Sequence, residues 1–271
     1  MPGCRSSDLI EYGINIKYMP GSEKPMNDYQ DDLVANSYKF RPPYHPDFIA
    51  KLVNEVNLQR TDVPLDLLCG RGEIANHLSK YCDRIIAVDG SRQMLDRAER
   101  NEKINFLLGD VNHVDFIDLF KDQKFSHCFV GRAIHWIEDD SLVKIKKSIF
   151  SDPTWLVTMQ GGYHKNNPWI KIYNGVLRNY QDFSSGIDWI SKEKVLSAGF
   201  GYQKLLSLDF PMKVNINFLY GTALSYSISA HILKSFEDEI KSALRAALNP
   251  FIDEDGFLVA QISNSAFIYK S

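Results

Sequence analysis

The chain has 271 residues, of which 44% are hydrophobic and 24% charged, and its net charge is −3. These values are ordinary for a globular protein, and the small negative charge gives no general attraction to nucleic acid or to anionic membranes. No stretch approaches the roughly 18 apolar residues that a membrane span needs, and the N-terminus lacks the basic start and apolar core of a secretory signal. We therefore expect a cytoplasmic protein without membrane or nucleic acid partners. The cysteines form no close-spaced pair, so neither a metal site nor disulfides are predicted.

The first part of the chain is predicted to be an arm. Residues 1–36 are rich in Gly, Pro, Ser, Asp and Asn, with helix expected only near Asp31. Residues 38–44 contain two adjacent prolines, which disfavour helix at and before them. A helix is predicted over residues 46–56, because its apolar residues recur with helical spacing. The chain is thus divided into an arm, residues 1–44, and a main domain, residues 45–271.

A strand, a glycine turn and a helix follow directly. Residues 63–68 form a short apolar run without helical period, the pattern of a strand buried on both faces. The turn after it contains Gly70 and Gly72, and an amphipathic helix is predicted from Glu73 to Lys80. This order is typical of the opening unit of a doubly wound nucleotide-binding sheet, in which glycine lets the backbone approach a ligand closely.

Acidic residues end the next two predicted strands. The strand at residues 84–88 is followed by Asp89, nineteen residues past Gly70 (89 − 70), where an acid can accept hydrogen bonds from ribose hydroxyls. A helix over residues 91–100, capped by Ser91, leads to a third strand at residues 104–108. Asp110 follows it and is placed to accept a hydrogen bond from an adenine amino group.

The fourth predicted strand, residues 125–130, ends in a turn over residues 131–136. Residues at the carboxyl ends of parallel strands face the ligand crevice, so this turn is expected to meet cofactor and substrate. A helix at residues 141–148 and a fifth strand at residues 154–159 follow.

Two aromatic-rich insertions interrupt the second half of the chain, at about residues 161–190 and 213–255. We interpret both as caps over the carboxyl edge of the sheet, whose aromatic side chains enclose an apolar pocket. The second insertion contains a predicted amphipathic helix over residues 230–248, which Asn249 and Pro250 end. The remaining predicted elements are a helix at residues 191–197 and strands at residues 203–210 and 257–269.

Several of these segments resemble motifs of class I S-adenosylmethionine-dependent methyltransferases. Residues 65–72 resemble their first motif, 87–95 their second-strand motif and 109–111 their third. Residues 133–136 resemble the fourth-strand motif of the branch that acts on small molecules. Residues 38–44 are similar to an upstream motif of that branch, which includes trans-aconitate methyltransferase-like enzymes. One departure is Leu68, where the family usually has glycine.

The resemblance implies an α/β fold with a doubly wound, mostly parallel seven-stranded sheet, an antiparallel last strand and cap insertions. It implies S-adenosylmethionine as cofactor and a small-molecule methyl acceptor, with the upstream motif folding as a lid over the amino acid end of the cofactor. Arg41 is then a candidate partner for the cofactor carboxylate, which a guanidinium binds through two parallel hydrogen bonds. The implied cofactor-binding residues are Tyr38, Arg41, Asp66, Cys69, Gly70, Gly72, Asp89, Gly90, Met94, Gly109, Asp110, Val111 and Gly131.

Methyl transfer from a sulfonium is an in-line displacement that needs no metal, and holding the acceptor in line can supply most of the rate. A neutral hydroxyl acceptor must still lose a proton, and His135 is the candidate catalytic base because imidazole titrates near neutral pH. Alternatively, His135 only shapes the pocket. The candidate substrate-binding residues are Arg132, Trp136, Tyr163, His164 and Trp169.

Two other functions remain open from the residues alone. Gly70, Gly72 and Ala75 satisfy the loose dinucleotide fingerprint of an NAD-dependent oxidoreductase. Against this, Glu73 lies at the helix start, where a pyrophosphate prefers no negative charge. The other alternative is a module that binds S-adenosylmethionine without methylating anything, and Leu68 is the only local hint of it.

Overall fold

The computed structural model describes residues 30–120, 123–180, 191–226 and 230–271. The arm before residue 30 therefore lies outside the described residues. The strands are β1 Leu65–Leu67, β2 Ile85–Asp89, β3 Ile104–Leu108, β4 Phe125–Gly131, β5 Phe150–Tyr163, β6 Gly201–Val214 and β7 Leu258–Lys270. The helices are α1 Asp32–Ser37, α2 Pro46–Glu55, α3 Glu73–Leu78, α4 Arg92–Asp96, α5 Asp139–Ile149, α6 Ile170–Leu177, α7 Lys192–Ser197, α8 Ile216–Leu224, α9 Ala230–Ser235 and α10 Glu237–Leu248.

The seven strands form one mixed sheet in the order β3-β2-β1-β4-β5-β7-β6. The first five strands pair in parallel, and the last strand pair is antiparallel. This confirms the predicted doubly wound, Rossmann-like α/β fold. Because β1 lies between β2 and β4, the strand order reverses beside β1, which places the ligand crevice of such a sheet beyond the carboxyl ends of β1 and β4.

The central parallel strands β1, β2 and β4 are mostly buried, as their apolar runs predict, whereas the edge strand β3 is partly exposed. Along β2, Ile86 and Val88 belong to one buried cluster, which also contains residues of α5. Ile85 and Ala87 belong to a second buried cluster, together with residues of α2 and α3. Alternate residues of a strand point to opposite faces, so helices cover the sheet on both sides.

The chain divides into two compact units. The sheet unit consists of the described parts of Pro42–Gly162, Ile187–Phe210 and Ile262–Ser271. The helical unit consists of the described parts of Met1–Arg41, Tyr163–Gly186 and Pro211–Gln261. The proposed lid role of residues 1–44 and the proposed caps stay predictions.

Within the helical unit, α8 is the central element. Seven of its nine residues are buried, and it packs against α1, α9, α10 and a 3₁₀ turn, Tyr38–Phe40. The ring of Phe40 lies against Gly221, where a Cβ atom would be 2.2 Å from the ring. No helix in the described ranges is long and apolar enough to cross a bilayer.

Some predicted boundaries were wrong. The single helix expected over residues 230–248 is two helices, because Phe236 has a non-helical backbone (φ −115°, ψ 27°). Its ring instead packs beside Tyr180, with centroids 5.5 Å apart. Helix α4 begins with the predicted cap, Ser91, but ends at Asp96 rather than at residue 100, because the following amides bond three residues back, to Met94 and Leu95. Helices α6 and α8 were not predicted, and β5 and β6 are longer than expected.

Candidate active site

The glycine turn after β1 has an unusual backbone. Leu68, Gly70 and Gly72 all have positive φ angles, of 57°, 56° and 74°. The left-handed region suits glycine but is strained for leucine, because its Cβ crowds the following carbonyl oxygen. Leu68 is nevertheless accommodated, since its half-buried side chain packs against the cluster that contains Val88. The turn therefore forms without the glycine that the resemblance leads one to expect there.

Asp89 joins the end of β2 to this turn. Its Oδ2 accepts the Gly70 N–H at 2.7 Å, and its Oδ1 accepts the Ser91 N–H at 2.8 Å. Burial raises the pKa of Asp89 to about 6, although these two hydrogen bonds oppose the rise. Each carboxylate oxygen keeps a further lone pair, so Asp89 can still accept hydrogen bonds from a ligand's hydroxyl groups.

Asp66 lies fully buried in β1. Its Oδ2 accepts the Ala75 N–H at 2.9 Å, which ties β1 to α3. Its Oδ1 is buried without a hydrogen-bond partner among the residues that the structure describes. The pKa of Asp66 is raised to about 8, mainly by desolvation, while the hydrogen bond from Ala75 opposes the rise and the charges of Asp89 and Glu73 add to it. Burial also raises the pKa of the neighbouring Cys69 thiol well above its ordinary value.

The end of β3 is tied to the same edge. The Gly109 N–H donates to the Asp89 carbonyl at 3.0 Å. Asp110, which is exposed, accepts the backbone N–H of Asn112 on Oδ1 at 2.9 Å. Val111 and Met94 are buried. With Gly90 after β2 and Gly131 at the end of β4, the structure brings the predicted cofactor residues of the sheet unit to the carboxyl ends of β1 to β4.

Arg132, a predicted substrate residue, is buried with its guanidinium bonded to the protein. It donates to the carbonyls of Pro42 and Gly161 and to the carboxylate of Glu73, at 3.3 Å from Glu73 Oε2. The guanidinium also lies 4.4 Å from the centroid of the Tyr44 ring. This arrangement assigns Arg132 a structural role, and its predicted contact with substrate stays a prediction.

The same network holds the backbone of residues 42–45, which form no regular element. The Tyr44 N–H donates to Glu73 Oε1 at 2.8 Å, and the His45 N–H donates to Asn264 Oδ1 at 2.8 Å. The amide of Asn264 donates in turn to the Pro43 carbonyl at 3.2 Å. We call this network the polar clamp. Asn264 was not among the predicted site residues, although an asparagine inside an otherwise apolar last strand is a pattern that could have indicated it.

His135 and Trp136 lie in a 3₁₀ turn, Ile134–Trp136, after β4. His135 is 2% exposed, and its ring centroid is 5.1 Å from that of Trp136. The turn closes through the Trp136 N–H, which donates to the Ala133 carbonyl at 2.9 Å. The predicted catalytic residue is therefore placed at the carboxyl end of β4, held in a buried position.

The remaining predicted residues belong to the helical unit. Arg41 donates from Nε to Ser225 Oγ at 2.6 Å and from Nη2 to the Ser225 carbonyl at 2.9 Å. Its guanidinium lies 4.0 Å from the ring centroid of Tyr226 and 5.2 Å from that of Tyr38. Two aromatic rings and a serine thus fix the orientation of this cation. Ser225 was not among the predicted site residues, and no pattern in the sequence indicates its role.

Tyr163 and Trp169 form an aromatic cluster with Tyr173 in the helical unit, with edge-to-face contacts between all three rings. The indole N–H of Trp169 donates to the Val259 carbonyl at 3.1 Å, and burial raises the pKa of Tyr163. His164 accepts the Asn166 N–H on Nδ1. The substrate contacts predicted for Tyr163, His164 and Trp169 stay predictions.

The geometry of the sheet unit suits a nucleoside ligand with a positive charge. A turn with a left-handed backbone lies beside a hydroxyl acceptor, Asp89, and three acids surround it, Asp66, Glu73 and Asp89. Asp66, with a pKa of about 8, is mostly protonated near neutral pH, and Glu73 is paired with Arg132. The negative charge of Asp89 beside the turn disfavours a pyrophosphate and favours a cation. No group of three or more His, Cys, Asp and Glu side chains in the described part of the chain is arranged to hold a metal ion.

Comparisons with known proteins agree with this geometry. Residues 65–151 match the family model described as a methyltransferase domain. Over 111 residues, which cover 41% of this chain and 21% of the relative, the chain is 32% identical to the 23S rRNA (uracil(1939)-C(5))-methyltransferase RlmD of Legionella pneumophila. A protein of Dictyostelium discoideum that is named as a methyltransferase is 20% identical over 229 residues, 79% of this chain and 83% of its own.

Among solved structures, one described as a type II methyltransferase from Anaeromyxobacter dehalogenans is similar to this chain with a TM-score of 0.60. The identity is 17%, and the alignment covers 85% of this chain and 97% of that one. This similarity shows a shared fold. The chain spans about a fifth of the length of the Legionella enzyme, and the similarity between the two is confined to that part.

Proposed function

We propose that this chain, which contains a class I S-adenosylmethionine-dependent methyltransferase domain, transfers the methyl group of S-adenosylmethionine to a small organic acceptor. The observation that carries the proposal is Asp89, bonded to the glycine turn through Gly70 and one strand away from Asp110. The end of β1 offers a turn whose backbone can approach the ligand closely. The ends of β2 and β3 offer an acceptor for ribose hydroxyls and an acceptor for the adenine amino group.

The residues present fit this cofactor. Its amino acid end carries an ammonium group and its sulfur is a sulfonium when the methyl is attached, so it is a cation that the Asp89 carboxylate beside the turn would favour. The buried Asp66 Oδ1 has no donor among the described residues, and such an orphaned oxygen would accept from a cationic donor. The cofactor supplies an electrophilic methyl group, and the protein supplies binding, orientation and the exclusion of water.

Other residues have proposed roles that follow from their types. Arg41, whose orientation Ser225 and two aromatic rings fix, is proposed to receive a carboxylate. His135 is proposed mainly to shape the site at the end of β4, because in-line positioning can supply most of the rate. If it is instead the general base, His135→Gln should lower the chemical step by about 10²- to 10⁴-fold and remove the acid limb of the pH profile.

The proposal also specifies the class of methyl acceptor, a small molecule. A net charge of −3 and a pI near 6.2 do not favour a polyanionic substrate. The Legionella relative is named for a reaction on 23S rRNA, but only 21% of its length is matched by this chain. Similarity over that segment therefore supports the methyltransferase domain and leaves the acceptor to be found.

Calorimetric titration of the protein tests the cofactor assignment. We expect binding of S-adenosylmethionine and S-adenosylhomocysteine and none of NAD. Asp89→Ala should weaken S-adenosylhomocysteine binding by about ten- to a hundredfold, because a charged acceptor of two hydroxyl groups is lost. The matched control is Asp83→Ala, an exposed acid just before β2 that pairs with Arg60, which should bind normally. Unchanged affinity in Asp89→Ala would contradict the assignment.

Labelled transfer tests the acceptor. The protein is incubated with S-adenosylmethionine carrying a radioactive methyl group and with a cell extract, which is then separated into small-molecule, RNA and protein fractions. Label in the small-molecule fraction supports the proposal. Label in RNA or protein keeps the methyltransferase and overturns the small-molecule acceptor. Cofactor binding without label in any fraction indicates a binding module instead.

A further inference from the structure

Three backbone groups after the His135 turn are held by side chains. The Trp136 carbonyl accepts from Asn112 Nδ2 at 2.9 Å, and the Glu138 N–H donates to Asn112 Oδ1 at 2.9 Å. The Ile137 carbonyl between them accepts from Lys194 Nζ at 2.6 Å. Ile137 itself is extended (φ −79°, ψ 125°), and helix α5 begins only at Asp139. These groups therefore depend on Asn112 and Lys194 rather than on regular structure.

Asn112 links this turn to the end of β3. Its backbone N–H donates to Asp110, the proposed adenine acid, and its side chain reaches the peptide groups on either side of Ile137. The end of one strand is thus joined to the turn after another. The joint uses both ends of one amide, which offers a donor and an acceptor in a fixed plane.

A side chain that replaces this amide must supply both a donor and an acceptor. An ionised aspartate could accept from Glu138 but would repel the Trp136 carbonyl, since it has no donor. Alanine would leave both peptide groups without their side-chain partner. His135 and Trp136 are part of this turn. Loss of the two hydrogen bonds from Asn112 would therefore let their side chains move away from the reacting groups.

We propose that Asn112 is a positioning residue for methyl transfer, which fixes the His135 turn against the cofactor side of the sheet. The inference rests on the proposed function, because the turn needs a fixed position only if it meets the reacting groups. Asn112 acts through the backbone of Trp136 and Glu138. Its own backbone N–H remains bonded to Asp110 in any side-chain variant, so the cofactor acid stays in place.

The test uses Asn112→Ala, with Asn101→Ala as the matched control. Asn101 also makes two hydrogen bonds through its side-chain amide, to Ser79 Oγ and from the Lys103 N–H, but it lies before β3, at the opposite end of that strand. Both variants lose an amide that joins two segments. Only Asn112→Ala releases the turn after β4.

We expect Asn112→Ala to lower kcat by about ten- to a hundredfold, the effect of a small misplacement of reacting groups, with affinity for S-adenosylhomocysteine unchanged. Hydrogen exchange over residues 133–139 should speed up in Asn112→Ala and stay normal in Asn101→Ala. In Asn112→Asp, the activity relative to wild type should recover towards acid pH, because a protonated carboxyl group again donates to the Trp136 carbonyl.

Equal kcat in Asn112→Ala and wild type, or a matching loss in Asn101→Ala, would overturn the positioning role. Normal exchange over residues 133–139 in Asn112→Ala would also overturn it, even if the variant were unstable. Failure of the proposed function has a different signature: wild-type protein then transfers no methyl group to any fraction. The exchange measurement still decides in that case whether Asn112 holds the turn.

Discussion

Leu68 has a left-handed backbone (φ 57°) between two segments that the site depends on, β1 and the Gly70 turn. A residue with a Cβ costs about 1–2 kcal/mol in this region. The leucine side chain offsets part of that cost, because it packs against buried neighbours. At this position, apolar packing of the side chain thus offsets part of the backbone strain.

We expect Leu68→Gly to be more stable than Leu68→Ala by about 1 kcal/mol, because both lose the leucine contacts and only glycine escapes the strain. Urea unfolding of both variants measures the difference. The control is Leu107 in β3, a half-buried residue with extended backbone, where alanine should be the more stable replacement. If alanine were the more stable replacement at Leu68 as well as at Leu107, the backbone of Leu68 would not be strained.

Asp66 makes the stability of the fold depend on pH. Its pKa of about 8 lies above the ordinary value of 3.8, so the folded state binds this proton more tightly than the unfolded chain does. The stability from this group is complete below about pH 4 and is lost as pH rises towards 8. The cause is desolvation of the carboxylate.

Asp66→Asn should keep the hydrogen bond from Ala75 and remove this pH dependence. Urea unfolding at pH 5 and pH 8 should show that the wild type loses more stability between them than the variant does. Asp83→Asn, at an exposed carboxylate, is the control and should follow the wild type. Parallel curves for wild type and Asp66→Asn would mean that Asp66 ionises freely when folded.

Two neighbouring glycines in β5 have opposite surroundings. A Cβ on Gly161 would be 2.7 Å from Arg132 Nη2 and 2.9 Å from Asn264 Nδ2, whereas no atom of the described residues lies within 4 Å of the corresponding position on Gly162. Both contacts on Gly161 are side chains of the polar clamp. The clamp therefore needs glycine at one of these positions only.

We expect Gly161→Ala to destabilise the protein by about 1–3 kcal/mol, the usual penalty for overpacking, and to speed hydrogen exchange over residues 42–45. Gly162→Ala should leave both unchanged. Thermal or urea unfolding together with exchange measurements tests the pair. Faster exchange in neither variant would mean that the clamp does not hold residues 42–45.

Helices α8 and α6 offer a second pair of glycines. Alanine is ordinarily better than glycine in a helix by about 0.8–1.0 kcal/mol. Among the described residues, no atom lies within 4 Å of a methyl group added to Gly175 in α6, whereas one added to Gly221 in α8 would lie 2.2 Å from the Phe40 ring. Gly175→Ala should therefore stabilise the protein and Gly221→Ala destabilise it, as unfolding measurements can check. A gain from both would show that Phe40 moves aside freely.

At the scale of the whole molecule, the sheet was predictable because its signals are local. Each parallel strand is a short apolar run, and turn residues or acids follow it at a spacing that one βαβ unit sets. The ends of β3 and the Ser91 cap agreed with the pattern. Helix α8 was not predicted, because it is apolar on nearly every side and its sequence therefore shows no amphipathic period.

The site was predictable only in part. Strand-end residues such as Asp89 and Asp110 follow from chain order and spacing. Partners such as Asn264, Asn112 and Ser225 come from distant parts of the chain, and their roles depend on side-chain geometry that no local pattern encodes. The guanidinium of Arg132 illustrates the limit: its position after β4 suggests a ligand contact, yet it binds the protein itself.

The polar clamp also has a consequence for how the sequence can drift over evolution. Arg132 is buried, and Glu73 and the Tyr44 ring are its charged and aromatic neighbours. A lineage that loses the arginine leaves the acid without its cation, and one that loses the acid leaves a buried guanidinium without its counter-ion, a defect of about 3–5 kcal/mol. Homologues should therefore inherit or replace these residues together, so that Glu73 and Arg132 covary across the family while the surface around them diverges.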